Sequence, residues 1–393
     1  MTPAARIQAA IELLDGVIEA AKKGGAPADR IVADGLRARR YAGSKDRRAI
    51  RELVYGAIRA CGPVPETGRA AMLRLAEGDP EIAPLFDGSG YGPAAITAGE
   101  PVAEGGIAPE WLAAKLAESD IAGEEAEALL GRAPLDIRVN TLKASRDTID
   151  LPEAGVPLQT PHGLRLPAGT PVESWNAFRE GLIEVQDAGS QIACMATEAR
   201  PGELVVDLCA GAGGKTLSLA AAMENAGTLI ASDTNRQRLS NLAPRAERAG
   251  VTNVTQLLLN PGEEDAAFAP WKGKADAVLI DAPCSGTGTW RRNPESRWRI
   301  TPQEIARLAE LQRRLAFLGA GLLRPGGRLI YVVCSLLDEE GAANFGQFLG
   351  ETPDMVASPF TAPAGRSRGT GTRLTPFHDE TDGFFFARAV KVW

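Results

Sequence analysis

The chain has 393 residues, 44 % hydrophobic and 24 % charged, with a formal net charge of -7; this is an ordinary globular composition, long enough for two or three domains. No run approaches the roughly 18 apolar residues of a membrane span, and the first residues lack the basic and apolar regions of a secretory signal, so we expect a cytoplasmic protein. Five scattered cysteines (Cys61, Cys194, Cys209, Cys284 and Cys334) form no CxxC pair, and His162 and His378 are the only histidines. We therefore expect free thiols, no metal site and no His-based acid–base chemistry.

The first part of the chain reads as helical. Ile7, Ile11, Leu14 and Ile18 mark one face of a first helix, and Ser44 is placed to cap another whose apolar stripe is Ile50, Leu53, Val54 and Ile58. From about residue 79 to 106 the chain turns Gly- and Pro-rich, which predicts a linker or long loop. Pro109 opens a short helix, and another follows around Glu124 to Leu130. Between 136 and 185 short strands broken by turns are expected at DIRVNTL, GLRLP and LIEVQD. Strand and helix then alternate, with buried strands at LVVDL, TLIASD, VTQLLL, ADAVLID and GRLIYVVCS, and FFFARAVKV as an antiparallel edge strand. That alternation predicts an α/β fold with a doubly wound parallel sheet, preceded by a small α+β domain and an all-α N-terminal domain. The boundaries we expect are 1–105, 106–182 and 183–393.

Charge is unevenly spread. Arg37, Arg39, Arg40, Lys45, Arg47, Arg48 and Arg51 cluster near the N-terminus; Arg291, Arg292, Arg297 and Arg299 form a second cluster interleaved with Trp290 and Trp298. Taken alone, each cluster is as compatible with a solvated surface as with a nucleic-acid contact.

In an open parallel sheet, ligands bind outside the carboxyl ends of the strands. That rule selects the loop after Leu208, Asp233, the turn near Asn260, the loop from Asp281, and Cys334 with Ser335. The first is CAGAGGKT: Cys209, Ala210, Gly211, Ala212, Gly213, Gly214, Lys215 and Thr216. Its glycines allow a tight turn and close backbone approach, and the amides of the following helix start face a ligand. Phosphate-bearing nucleotides and S-adenosylmethionine both use such a loop. The phosphate-loop reading fails on spacing, because Cys209 stands where the first glycine belongs. Asp233 ends the next strand, where a carboxylate accepts from ribose hydroxyls of an adenosine-containing cofactor or, alternatively, caps a helix.

Two cysteines close the pattern. Each alone reads as a small buried hydrophobe; together, Cys284 and Cys334 follow two strands that a parallel sheet can set side by side. Paired thiols suit methylation at carbon 5 of cytosine, which is too weak a nucleophile unaided. A thiolate added at carbon 6 makes carbon 5 nucleophilic; a base then removes the carbon-5 proton and elimination frees the thiol. Asp281 can hold the base through N3 and the exocyclic amine.

The combination DLCAGAGGKT, SD, DAPCSGTG and VCS, with RVNTLK, VQDAGSQ and DGFFFAR, resembles the Sun/Nop family of RNA 5-methylcytosine methyltransferases. The resemblance runs from about Pro109 to the C-terminus. It implies Cys334 as nucleophile, Cys284 as release partner, the glycine loop and Asp233 as S-adenosylmethionine contacts, and Asp281 beside both cofactor and base. Gly43 to Arg59 resembles the NusB-like domain of the bacterial RsmB branch, which implies small-subunit ribosomal RNA as substrate and RNA phosphates as partners of the first basic cluster. Ala212 departs from the family's proline, and Asn260 from an aspartate near the adenine; an asparagine oxygen still accepts from the adenine amine. We therefore expect an S-adenosylmethionine-dependent RNA methyltransferase acting as a monomer without membrane or metal. A transfer RNA enzyme, a non-catalytic assembly factor on the same fold and a DNA cytosine enzyme are the competing readings. The last is disfavoured because its nucleophile would sit in the DAPC-like loop. The role of Lys215, substrate contact or loop support, stays open.

Overall fold

Apolar residues at helical spacing build the N-terminal helices. Ile7, Ile11, Leu14 and Ile18 are buried on one face of the helix Pro3–Lys23. Thr2 caps that helix by accepting from the Ala5 amide at 3.2 Å, and Gly24 closes it in the left-handed conformation at φ 73°. The structure, a computed structural model, describes residues 1–393 and divides into two units: residues 1–131 with 289–301, and residues 132–288 with 302–393.

In the first unit the helices Ala28–Ala38, Ser44–Ala60 and Gly68–Gly78 pack around the first helix. Ser44 is not the cap that the sequence suggested: Gly43 precedes the helix and Ser44 is its first residue, with no side-chain capping bond. The Gly/Pro-rich stretch is a long loop laid against the helices. It buries Ile82, Phe86 and Ala103 in their core and is tied back by Gly62 N–H to Glu104 O at 3.0 Å.

Most of the second Arg/Trp cluster is buried: Trp290, Arg291, Arg297 and Trp298 are buried, and only Arg292 is exposed. Trp290 and Arg297 are wholly buried. The Arg297 guanidinium donates to the carbonyls of Ile58 and Cys61, both at 2.7 Å, and to that of Pro294. Burial pulls its pKa down to about 10. Trp298 Nε1 donates to Gly62 O at 3.2 Å. Glu295 accepts from the Ala28 amide at 3.0 Å, satisfying a helix-start donor. The N-terminal cluster differs: Arg40, Lys45 and Arg51 are exposed, although Arg37 pairs with Asp34 at 2.7 Å.

The second unit holds two sheets. β1 (Leu135–Val139), β2 (Val156–Pro157), β3 (Gly163–Leu166) and β4 (Ile183–Val185) form an antiparallel sheet in the order β2-β3-β1-β4. The large sheet contains β5 (Leu204–Asp207), β6 (Thr228–Asp233), β7 (Val254–Leu258), β8 (Ala275–Asp281), β9 (Leu323–Val333), β10 (Met355–Ala357), β11 (Arg366–Arg368), β12 (Gly371–Leu374) and β13 (Phe384–Lys391). Its order is β11-β12-β13-β9-β8-β5-β6-β7, parallel from β9 through β7, with β10 also pairing β13. β5 lies between β6 and β8, so the chain reverses its direction of travel across the sheet there, and a crevice opens at such a switch point.

The last strand corrects an expectation. β13 is antiparallel but interior, with β9 on one side and β12 and β10 on the other. Phe384, Phe385, Phe386, Ala387 and Ala389 are all buried, as a continuous apolar run demands when both faces are covered. The strands that cover its edge are short and partly polar, and the sequence pattern did not reveal them. No helix is long and apolar enough to cross a membrane.

Candidate active site

The residues singled out by sequence meet at the carboxyl ends of β5, β6, β8 and β9. The glycine loop follows β5 and runs into the helix Gly214–Ala222. Gly211 and Gly213 have φ of 55° and 90°, conformations that side chains resist. A Cβ on Gly213 would stand 2.2 Å from Leu242 Cδ1, whereas one on Gly214 would meet open space. Two bonds close the turn: Ala210 N–H to Ser232 O and Gly213 N–H to Ala210 O, both 2.8 Å. Ala212, the departure from the family proline, has its carbonyl held by Arg245 Nη1 at 2.7 Å. Arg245 is in turn paired to buried Glu184 at 3.0 Å, so a side chain supplies the restraint that a ring would have imposed.

Asp233 ends β6. Its Oδ2 accepts from Gly211 N–H at 2.8 Å and its Oδ1 from Asn235 N–H at 2.7 Å. Each oxygen retains a further lone pair for a ligand hydroxyl. The helix cap is instead Asn235, which accepts from the Arg238 amide. Asn260, beyond β7, is exposed and donates through Nδ2 to Glu263 at 2.8 Å, so its carbonyl oxygen is the group left to accept.

Asp281 ends β8 in register with Val332 of β9. Parallel pairing carries the two following loops to the same place, and Cys284 Sγ lies 3.2 Å from Cys334 Sγ. Both are half-buried. The hydrogen bond with Cys334, followed by burial, holds the Cys284 thiol well above the ordinary range. Cys209 is likewise held up by burial and by neighbouring carboxylates. Lys215 Nζ is 2.6 Å from Asp281 Oδ2 and 5.6 Å from the Phe384 ring centroid. Burial would lower its pKa, but Asp281 outweighs this and the net shift is upward. The ammonium thus orients the carboxylate.

Two acids escaped the sequence reading. Asp207 is fully buried at the end of β5; Thr216 donates to its Oδ2 at 2.6 Å, and its Oδ1 has no partner. Burial, then Asp281 and Asp233, push it up to about 7 against the Thr216 bond. A raised carboxyl pKa stabilises the fold fully below its unfolded value near 4, and that contribution is lost as pH rises toward 7. Thermal melts of Asp207→Asn should therefore gain on the parent between those limits, by up to about 1.4 kcal/mol per pH unit. Parallel melting curves across this range would show that Asp207 does not titrate there. The second acid, Glu340, is wholly buried beneath the thiol loops. In sequence it sits in DEEG, which looks like any surface acid run; only a serine after each cysteine hinted at what it binds.

The comparisons with known proteins agree with this geometry. The family described as 16S rRNA methyltransferase RsmB/F matches residues 194–390. A Synechocystis protein named probable ribosomal RNA small subunit methyltransferase B is 36 % identical over 302 residues, 72 % of this chain and 66 % of that protein. A Klebsiella pneumoniae ribosomal RNA small subunit methyltransferase B is 35 % identical over 294 residues, with the same shares. The chain thus spans just under two thirds of these relatives' length. The crystal structure of PH0851 superposes with a TM-score of 0.77 at 25 % identity, covering 100 % of this chain and 99 % of that one. A methyltransferase homolog from Pyrococcus horikoshii gives 0.58 at 29 %, covering 72 % and 99 %. The family match spans the glycine loop, the three acid-tipped strands and both thiols, the parts the structure gathers at one crevice, and this chain accordingly belongs to the RsmB/F 16S rRNA methyltransferase family.

Proposed function

We propose that this protein methylates carbon 5 of a cytosine in small-subunit ribosomal RNA, with S-adenosylmethionine as donor. The observation that carries the reading is the thiol pair 3.2 Å apart, beside a Lys215–Asp281 ion pair of 2.6 Å and a glycine loop with open space at its helix start. The loop suits the cofactor on three counts. Gly211 and Gly213 admit close backbone approach, Asp233 offers acceptors to ribose hydroxyls, and Asp233 and Asp281 present carboxylates to a sulfonium. The unpartnered Oδ1 of Asp207 is the kind of buried acceptor that a cationic ligand satisfies. Asn260 would receive the adenine amine. When bound, the cofactor supplies an electrophilic methyl group.

In this reading Cys334, as its thiolate, adds to carbon 6 of a cytosine whose N3 carries a proton hydrogen-bonded to Asp281, so the electron pair displaced toward N3 neutralises that nitrogen, and Lys215 holds the carboxylate in place. Carbon 5 then forms its bond to the transferred methyl. Cys284, once its own proton has passed to solvent, takes the proton from carbon 5 as a thiolate, and elimination breaks the bond between Cys334 and carbon 6. The basic residues exposed in the N-terminal helices meet RNA phosphates.

Methyl transfer to total RNA, followed by bisulfite mapping, tests the reading. Small-subunit ribosomal RNA from cells lacking the protein should gain one protected cytosine when the protein and S-adenosylmethionine are added. A protected cytosine only in transfer RNA would replace the substrate assignment, and no methyl transfer to any RNA would leave an assembly factor.

A further inference from the structure

Glu340 is the one wholly buried carboxylate that touches the loops of both thiols. Its Oε1 accepts from the Ser285 amide at 2.8 Å and from Gln312 Nε2 at 3.0 Å. Its Oε2 accepts from the hydroxyl of Ser335 at 2.6 Å and from that of Ser285. Ser285 follows Cys284 and Ser335 follows Cys334. Gln312 also donates to Pro283 O at 2.9 Å, and Tyr331 donates to the Glu340 carbonyl at 2.5 Å. A buried carboxylate accepting several charge-assisted bonds is a strong anchor.

The two loops need this anchor unequally. Cys334 comes directly after β9, whose register against β8 and β13 fixes the backbone. Cys284 lies three residues past the end of β8, in a segment without regular structure that runs through Pro283. Its neighbours Pro283 and Ser285 both reach Glu340, the first through Gln312 and the second directly. Removing the carboxylate therefore frees Cys284 and leaves Cys334 on its strand.

We infer that Glu340 is a positioning residue for the release step, holding Cys284 against the adduct that Cys334 forms. The inference rests on the thiol roles proposed above. It requires that loss of Glu340 slow removal of the carbon-5 proton, and with it the elimination, while the addition of Cys334 to carbon 6 and the methyl transfer continue. The chain should then stay trapped on methylated RNA.

The test is denaturing gel electrophoresis of the full-length protein incubated with S-adenosylmethionine and a transcript of small-subunit ribosomal RNA. Parent, Cys284→Ala, Glu340→Ala, Glu340→Gln and Ser285→Ala proteins are compared. Glu340→Ala is expected to accumulate a covalent protein–RNA band, as Cys284→Ala does, with turnover falling about 10²-fold, the effect of an ångström-scale misplacement. Glu340→Gln keeps an oxygen for Ser285 N–H and an amide to which both serine hydroxyls can turn as acceptors. It should return most of the turnover and lose the band, which identifies the hydrogen bonds rather than the charge as what matters.

Ser285→Ala, which removes one bond to Oε2 and leaves the amide, should trap a smaller fraction. It carries the test if Glu340→Ala shows no cooperative melt. Turnover and adduct falling together in Glu340→Ala, with the parent's melting temperature, would overturn the inference, as would full turnover without a band. A band in Cys284→Ala and none in the folded Glu340 and Ser285 variants would also overturn it while sparing the thiol roles. No band in Cys284→Ala would overturn the thiol roles themselves.

Discussion

Cys334→Ala protein is expected to lose methyl transfer by on the order of 10⁴-fold or more, the scale on which removal of a covalent nucleophile acts, and to form no covalent complex with RNA. Cys284→Ala is expected to do the opposite at the first step. It should still attack and methylate, but with the carbon-5 proton left in place the chain stays bonded to RNA and turnover falls about 10² to 10⁴-fold. The asymmetry comes from the fold. The thiols are 3.2 Å apart, but Cys334 follows β9 directly while Cys284 lies three residues beyond the end of β8. Single-turnover assays with labelled S-adenosylmethionine, resolved on denaturing gels, read both steps at once. A covalent complex that persists in Cys334→Ala and vanishes in Cys284→Ala would exchange the two roles.

The second large effect lies far from the chemistry in sequence. Arg297→Leu is expected to destabilise the unit formed by residues 1–131 and 289–301 by about 3 kcal/mol, because the buried carbonyls of Ile58, Cys61 and Pro294 lose their donor. In calorimetry this corresponds to a drop of about 10 °C in that unit's transition, and trypsin should cut the N-terminal helices sooner. Arg297→Lys should recover only part, since one ammonium cannot reproduce the planar fork. A variant that melts like the parent but binds RNA more weakly would return Arg297 to the role of a phosphate contact. Arg40→Ala is the natural control: its exposed side chain should change RNA affinity and its salt dependence, not the melt.

These two cases mark how far local pattern reaches. Arginine interleaved with tryptophan suits a nucleic-acid groove and a buried polar staple equally well, and nothing within residues 290–299 tells them apart. Two of the carbonyls that Arg297 holds, those of Ile58 and Cys61, lie more than 230 residues earlier. The same distance problem hid β10 and β12 beside β13, which are only three and four residues long, and it hid Glu340 inside an ordinary acidic turn. Lys215 could not be assigned from its loop, because its partner Asp281 lies on another strand.

By contrast, the glycine loop, the acid ending β6 and the cysteine after each of two later strands were legible at once. Each is a short-range signal: backbone freedom at glycine, apolar runs that must be buried, polar residues that end them. By itself the sequence determined the parallel sheet, the crevice at its strand ends and the two thiols as reactive candidates. The tertiary structure alone decided that β8 and β9 are neighbours in a register that brings those thiols to 3.2 Å, that Lys215 orients Asp281, and that one buried carboxylate anchors the loops of both. Hydrogen bonds and ion pairs between residues tens to hundreds of positions apart depend on strand order and register, and local periodicity carries no record of either.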